Sequence, residues 1–396
     1  PILGVPYFQH ADPSVKQKSG FLTPSYLTSE DLGFGVEVPY YFALAPNYDF
    51  TFHPMYLTRQ GILWQGDWRH RLTFGNITGT YTVKVAAIDQ DYTDLPGSQA
   101  DKERFDGWRG SIETKGKFSL ASWWNFGWNV TLESDDVFRR FYKLDNILQT
   151  DRINEVYLTG LSDRNYFGAY LYHFGGLRFD DSDMTGGRVH PVIDYNYVVA
   201  DPIFGGELSF NANALSFSRS VSHADLAWTG ETNMNRLVAE VNWRRRFTDP
   251  LGQTYTPFFN FRGDFYSLHN VIDPVTLEPT DDEVKTRGIA AAGLHYAYPF
   301  VSHTATGAHV IEPLAQIIAR NSSGSQRHLP DEDSRSIVFD DTNLFDLNKM
   351  AGYDRVETGT RANVGLQYTY QANNGWFARV LAGQSYHLDG DNIYRD

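Results

Sequence analysis

The sequence predicts an all-β fold, a transmembrane antiparallel β-barrel. Segments such as Trp108–Leu120, Phe259–Phe265 and Val364–Tyr370 alternate apolar and polar residues, and this period of two defines strands with two unlike faces. The polar faces are rich in charge, which the core of a soluble sandwich would exclude and a water-filled lumen accepts. No apolar run reaches the roughly 18–20 residues of a spanning helix, so a membrane could be crossed only by the strands of a closed barrel.

Composition limits the classes of function. The formal net charge of −14 argues against nucleic acid as a ligand, because proteins that bind it need a basic surface. The chain has no cysteine, which excludes disulfides and thiolate metal sites within this sequence. Aromatic residues make up 15% of the chain, as expected for strands that carry aromatic girdles at two membrane interfaces.

Two regions follow from the order of the chain. Residues 1–19 contain three prolines and two lysines and predict an extended connector. Residues 20–396 predict the barrel. Its seventeen strands are expected at 20–28, 33–45, 48–58, 62–74, 76–90, 107–121, 124–134, 152–161, 164–175, 188–200, 204–219, 229–247, 253–271, 284–299, 305–320, 355–372 and 376–388. Most of them exceed the roughly 9–11 tilted residues that a membrane strand needs.

The predicted connections alternate in length. Those after even-numbered strands are short, whereas those after odd-numbered strands are mostly long, at 91–106, 135–151, 176–187, 272–283 and 321–354. Outer-membrane barrels have this layout, with short periplasmic turns and long outer loops. Single-chain bacterial barrels have an even number of strands. Because seventeen is odd, either the count is off by one or sequence beyond this segment continues the barrel. The polar, loop-like end HLDGDNIYRD favours the second alternative.

Each of the first three predicted strands contains one proline. Pro24, Pro39 and Pro54 are spaced fifteen residues apart. Proline has no backbone N–H and therefore removes a hydrogen bond from the ladder between strands. These strands are thus expected to be weakly paired. The alternative interpretation is that each proline is accommodated in a β-bulge or at an edge.

Motifs for chemistry are lacking. The sequence contains no nucleophile elbow, zinc-protease motif, phosphate-binding loop or paired-cysteine motif, so we predict neither an enzyme nor a cofactor. Acidic clusters such as Asp331–Asp333 lie in the long loops and are interpreted as solvated surface, with divalent-cation bridging to an anionic glycolipid as the alternative. None matches a calcium-loop pattern, so we predict no metal site.

Two blocks of the sequence resemble a known family, LptD (also called OstA or Imp), the lipopolysaccharide-assembly proteins of Gram-negative outer membranes. The first block runs from SGFLTPSY to GDWRHRL, and the second joins Glu332–Ser334 to Asn343–Phe345 and Gly352–Glu357. The resemblance implies a periplasmic β-jellyroll followed by a 26-stranded barrel. This chain would then hold the connector and about the first two-thirds of that barrel.

The resemblance also implies a function in transport. Lipopolysaccharide would arrive over a periplasmic bridge that includes LptA, and the lipoprotein LptE would plug the lumen. The sugar would pass through the lumen while the acyl chains leave through a lateral gate between the first and last strands. Pro24, Ser25 and Pro39 would belong to this gate, with Pro54 as a secondary bend. The implied location is the cell outer membrane.

Two other functions remain open from the residues alone. One is a diffusion porin of about sixteen strands, and the other is an outer-membrane hydrolase.

Overall fold

The structure, a computed structural model, describes residues 17–90, 107–144, 152–176, 187–219, 232–273, 275–276, 278, 280, 282–321, 326–337 and 340–394. Residues 1–16 of the predicted connector lie outside this set. The chain divides into two compact units, Pro1–Gly160 with Tyr170–Arg188 and Leu161–Ala169 with Val189–Asp396. No helix among the described residues is long and apolar enough to cross a membrane.

The first unit is built from antiparallel strands and one helical turn. Its elements are β1 (Gly20–Phe21), β2 (Ser25–Ser29), β3 (Gly33–Glu37), β4 (Tyr40–Ala45), β5 (Tyr48–Phe52), β6 (Met55–Leu57), β7 (Gly61–Phe74), β8 (Ile77–Gln90), β9 (Gly107–Ala121), β10 (Trp124–Glu133), α1 (Phe138–Phe141) and most of β11 (Arg152–Ser162). Strands β7 to β11 pair in sequence order. The next two strands, β12 (Asn165–Gly175) and β13 (Arg188–Val198), have residues in both units.

The second unit continues with longer strands. These are β14 (Glu207–Arg219), β15 (Thr232–Arg244), β16 (Phe247–Thr248), β17 (Thr254–His269), β18 (Glu283–Ala297), β19 (Phe300–His303), β20 (Gly307–Arg320), β21 (Arg335–Ser336), β22 (Met350–Ala351), β23 (Thr360–Ala372) and β24 (Phe377–Asp389). The main ladder runs β14, β15, β17, β18, β20, β23, β24, and every pair in it is antiparallel. Strands β21 and β22 form a small separate pair.

The two faces of these strands are the reverse of those in a soluble protein. On β17, Phe259, Phe261 and Phe265 are exposed, while their neighbours Arg262 and Asp264 are buried. The same pattern holds on β9, where Trp108 and Ile112 are exposed and Arg109, Ser111 and Glu113 are buried. An apolar face that is open and a polar face that is covered suit lipid on one side and a lumen on the other. The predicted class, an antiparallel all-β fold of the outer-membrane barrel type, is confirmed.

From residue 61 onward the predicted strands are close to the observed ones. The largest difference is at β23, which begins at Thr360 rather than at residue 355. Among the described connections, 75–76 and 163–164 are short and 321–359 is long, as the alternation of loop lengths predicts. The predicted long loop 91–106 lies outside the described residues.

The predicted strands 20–28, 33–45 and 48–58 are wrong as continuous elements. Each is divided in two, at 22–24, 38–39 and 53–54 respectively. The physical reason is the proline in each interruption, which cannot donate to a ladder. The short strands β16, β19, β21 and β22 were not predicted, because segments of two to four residues carry too little periodicity.

Candidate functional site: a proline row in the first strands and an arginine-anchored loop

The three predicted gate prolines lie side by side and are called here the proline row. Pro24 separates β1 from β2, Pro39 separates β3 from β4, and Pro54 separates β5 from β6. Backbone hydrogen bonds join their surroundings, because the N–H of Leu22 donates to the carbonyl of Pro39 at 2.9 Å and that of Val38 to the carbonyl of Pro54 at 3.3 Å. Pro54 interrupts its strand in the same way as the other two.

The row divides the first strands into two half-sheets. We call the half-sheet of β1, β4 and β5, which contains the turn at residues 46–47, the near half. We call the half-sheet of β2, β3 and β6, which contains the turn at 30–32, the far half. Both halves are joined to β7, since β6 pairs with Gly61–Leu63 and β5 pairs with Gly66–His70. Strand β7 therefore pairs with both half-sheets, which are otherwise paired separately.

Of the three prolines, only the first coincides with a change of register in the ladder; a second shift, between Phe42 and Ala45, lies away from the row. Phe21 pairs with Tyr40, and this register would place Ser25 opposite Val36, yet Ser25 pairs with Glu37. A shift by one residue is the mark of a β-bulge. The β3–β6 and β4–β5 pairs share one register, so Pro39 and Pro54 interrupt the ladder without displacing it. The bulge alternative thus applies to Pro24 alone.

A chain of four polar side chains crosses the strands beside the row, and we call it the polar chain. The hydroxyl of Ser25 donates to Glu37 Oε2 at 3.0 Å, and Glu37 Oε1 lies 2.9 Å from His53 Nδ1. His53 Nε2 lies 3.2 Å from Asp67 Oδ1 on β7. Because carboxylates only accept, both ring nitrogens donate and the imidazole is positively charged. These contacts join the strands where backbone bonds are missing.

Sequence reasoning named Ser25 but missed the rest of the polar chain. Glu37 lies two residues before Pro39, and His53 directly precedes Pro54. A polar residue within two positions of every proline of a predicted membrane strand was a usable signal. Asp67 carried no such mark, and only the register of β5 against β7 brings it to His53.

The inner face of the far half is covered by an apolar cluster. It consists of Leu32, Met55, Leu57, Leu63, Ala86, Ile88, Phe138 and Tyr142, and the last two belong to the loop that contains α1. Arg109 holds this loop, since its guanidinium bonds both carboxylate oxygens of Asp135 at 2.8 and 2.9 Å. The Tyr142 hydroxyl donates to Gln90 Oε1 at 2.7 Å. No described residue of the near half belongs to the cluster. Only the far half is therefore packed against the loop that contains α1.

In the second unit, the long loop 321–359 is anchored by buried arginines. Five successive main strands each contribute one arginine, at most 9% exposed, and we call this set the arginine band: Arg236, Arg262, Arg287, Arg320 and Arg361. Every member bonds a group of the loop. Arg236 bonds Asp333 and Asp354, Arg262 bonds the Tyr353 carbonyl, and Arg287 bonds Gln326. Arg320 bonds the carbonyls of Leu347 and Glu357, and Arg361 bonds the Glu357 carboxylate. The loop therefore lies against the polar face of the strands.

Arg236 is the centre of the densest part of these contacts. Its guanidinium lies 2.6 Å from Asp354 Oδ1 and 2.7 Å from Asp333 Oδ2. Although burial works in the opposite direction, Arg236 and two backbone N–H groups lower the pKa of Asp333 below its ordinary value. The carboxylates of Asp331, Asp333 and Asp354 are close enough together to hold a cation, but Arg236 already neutralises two of them. We assign no metal to this group.

The anchored loop explains the second block of the family resemblance. Tyr353, Asp354 and Glu357 supply the loop's contacts to the arginine band. At the other end, the Gln316 amide donates to the Phe345 carbonyl at 3.0 Å. Leu344 packs so closely on Gly383 that a Cβ there would collide with it. The motif is thus a set of loop residues that fit the polar face of these strands.

Comparison with known proteins agrees with these features. A family model described as "LPS transport system D" matches residues 107–395. The LPS-assembly protein LptD of Shewanella frigidimarina is 24% identical over 404 residues, covering 100% of this chain and 49% of that protein. The protein of the same name from Hahella chejuensis is 23% identical, covering 99% and 48%. That from Pseudomonas entomophila is 43% identical over 83 residues, or 20% of this chain and 9% of that protein.

The extent of these matches has two consequences. This chain spans about half the length of the curated relatives that it matches throughout. The proline row lies before the region that the family model covers, but within the region aligned with the relatives. Since the family model covers well over half of the sequence, the chain belongs to the LptD family.

Proposed function

We propose that this chain forms part of an outer-membrane translocon that inserts lipopolysaccharide into the outer leaflet of a Gram-negative bacterium. In this proposal the glycolipid is received from a periplasmic bridge containing LptA, and LptE plugs the lumen of the complete barrel. Moving a lipid makes and breaks no bond, which agrees with the lack of catalytic motifs. The names of the relatives, LPS-assembly proteins, support this assignment over a porin or a hydrolase.

The lateral gate is the part of the proposal that rests on geometry. Pro24, Ser25 and Pro39 would lie in the first two strands of this gate, and Pro54 would extend the same row. The observation that carries it is the alignment of three donor-free residues at one level of consecutive strands. Each absent ladder bond is worth about 0.5–1.5 kcal/mol in water and more in lipid, where no water substitutes. A seam next to such strands would separate at low cost.

The near half is the part we expect to separate. Its strands are two to six residues long, and no described residue in it contributes to the apolar cluster. The far half, by contrast, is held by Phe138 and Tyr142 from the loop. Acyl chains would then leave the seam along the near half, while the far half keeps the first strands in register with β7.

The test is the double substitution Pro24→Ala plus Pro39→Ala in the full-length protein. Two restored N–H donors should tighten the first strands by about 1–3 kcal/mol, reducing the open fraction roughly five- to a hundredfold. Surface lipopolysaccharide should fall and permeability to large antibiotics should rise in cells that depend on the variant. Pro46→Ala, in the turn of the near half, is the matched control and should behave as the native protein. Unchanged surface lipopolysaccharide in a correctly folded double variant would sink the gate proposal.

A further inference from the structure

A polar cavity of about 1090 Å³ lies against the strands β13, β14, β15, β17, β18 and β20, and all of its lining residues belong to the second unit. Residues 345–347 of the anchored loop form part of its wall. Residues of the connections 163–164, 199–206 and 245–246 place one edge of it at the end of the strands where the turns are short. Its charged lining residues are four arginines and two carboxylates: Arg164, Arg244, Arg245, Arg246, Glu207 and Asp346.

The four arginines are accessible and only partly paired. Glu207 accepts from Arg164 on one carboxylate oxygen and from Arg244 on the other, and the two arginine side chains are 60% and 66% exposed. Arg245 donates to a neutral backbone carbonyl at 2.9 Å. Arg246 is exposed and forms no hydrogen bond or ion pair with a described residue. Because a guanidinium carries five N–H donors, each of the four keeps donors that these contacts do not use.

The other carboxylates near this edge leave Arg246 available. Asp346 forms no ion pair with any of the four arginines in the described part of the chain. A smaller cavity of about 380 Å³ shares Arg246 and adds one arginine, Arg379, and two carboxylates, Glu312 and Asp341. Neither of these carboxylates lies within ion-pair distance of Arg246. The Arg246 guanidinium can therefore bind a ligand without first breaking an ion pair.

Neutral polar groups and aromatic rings share the lining with the arginines. The side-chain carbonyl of Asn242 accepts an amide N–H from the neighbouring strand at 2.7 Å, while its own amide N–H groups bond nothing in the described ranges. The hydroxyls of Ser209 and Thr256 are likewise without a partner among the residues described. Phe258 and Phe345 lie among these groups. The cavity thus offers charged donors, neutral donors and acceptors, and apolar surface together.

We propose that this cavity binds the phosphorylated saccharide part of a glycolipid, with Arg244 and Arg246 selecting the phosphate and Asn242 and Ser209 contacting the sugar. A guanidinium fork matches two phosphate oxygens. Amides and hydroxyls donate and accept, as sugar hydroxyls do, and a few such groups among aromatic rings are typical of ligand sites. An acyl chain would take these groups from water without giving them partners. The source of the ligand rests on the proposed function.

The experiment measures binding of deacylated, phosphorylated lipopolysaccharide, a soluble probe, to the full-length protein in detergent. The ionic strength is kept low, because salt screens exposed charges. We expect saturable binding that is weaker for the dephosphorylated probe. Arg246→Met should weaken binding of the phosphorylated probe by about five- to fiftyfold, as expected for losing a charged hydrogen bond that is partly screened by water, and should leave the dephosphorylated probe unaffected.

Arg335→Met is the matched control. Arg335 is exposed in the same unit, bonds no described residue through its side chain and does not line the cavity, so both probes should bind this variant as they bind the native protein. Arg246→Lys keeps the charge but not the fork and should restore part of the affinity. Unfolding temperatures should be equal in all three variants, because neither arginine has a side-chain partner to lose among the described residues.

No saturable binding, equal binding of the two probes, or unchanged binding in Arg246→Met would overturn the site. Competition with inorganic phosphate tests the saccharide part. Displacement of the probe by an equimolar amount of phosphate would overturn that part, whereas displacement only at a large excess supports it. A failed binding experiment would leave the proline test, which measures surface lipopolysaccharide in cells, unaffected. Conversely, a failed proline test would not alter the difference between the two probes.

Discussion

The first strands and the strands of the second unit follow the same antiparallel plan but are held together differently. Strands β1 to β6 are two to six residues long and are interrupted at the proline row. The main strands of the second unit run for 13 to 16 residues and are joined to the loop 321–359 through the arginine band. One region lacks ladder bonds, whereas the other adds side-chain bonds to a full ladder.

This difference separates two ways in which a sheet can be stabilised. In the second unit, charged groups on the polar face are paired with a loop, so breaking one pair exposes a buried charge. In the first strands, the polar chain of Ser25, Glu37, His53 and Asp67 takes the place of backbone bonds. We therefore expect substitutions in the arginine band to affect global stability, and those in the polar chain to affect local opening.

The largest effect is expected at Arg236. Arg236→Met removes the partner of Asp354, which is fully buried, and should lower the free energy of unfolding by about 3–5 kcal/mol. Arg244→Met is the matched control on the same strand and face, because its side chain is 66% exposed and, among the described residues, its ion pair is with Glu207. It should cost about 0–1 kcal/mol. Urea unfolding of the full-length protein measures both, and equal losses would contradict the role given to the arginine band.

A smaller and local effect is expected at His53. His53→Leu leaves the carboxylates of Glu37 and Asp67 facing each other without the ring between them. This should cost about 1–3 kcal/mol and speed amide hydrogen exchange at Leu22 and Val38 roughly five- to a hundredfold. His303→Leu, at an exposed position of β19, serves as control and should not alter exchange at these amides. Unaltered exchange in His53→Leu would mean that the polar chain does not hold the row closed.

The smallest effect is expected at Ser25. Ser25→Ala removes one terminal bond of the polar chain, from the hydroxyl to Glu37, and leaves the pair of Glu37 and His53 in place. A cost of about 0.5–1.5 kcal/mol corresponds to roughly two- to tenfold faster exchange at the same amides. If Ser25→Ala had a larger effect than His53→Leu, the chain would be organised around its hydroxyl end and not around the imidazole.

Much of the fold could be predicted from the sequence because membrane strands are long and two-faced. Strands such as β15 and β17 carry alternation over more than twelve residues, and their ends fall near turn residues. The first strands were harder to predict. Their alternation continues across Pro39 and Pro54, since the register on both sides is shared, so the breaks do not appear in the pattern of apolar residues.

The candidate site could be predicted only in part. The prolines and Ser25 stand out because proline has a fixed chemical consequence wherever it occurs in a strand. The arginine band does not stand out, since its members lie up to 125 residues apart and an arginine on a polar face is ordinary. Asp331–Asp333 was interpreted as solvated surface, yet Asp333 is bonded to Arg236 from a distant strand. Such pairs depend on how the loop folds back, which local pattern does not contain.

The equal spacing of the three prolines restricts how the first strands can change in length. The turn at 30–32 lies beyond the row on one side, and the turn at 46–47 lies beyond it on the other. Because adjacent strands run in opposite directions, two residues inserted into one strand between its proline and the turn, and not into its partner strand, would move that proline out of line with its neighbours. Residues added to the turn itself would only lengthen the loop. Insertions and deletions here would have to occur in compensating pairs within one hairpin. The spacing between the prolines is therefore as important to the proline row as the prolines themselves.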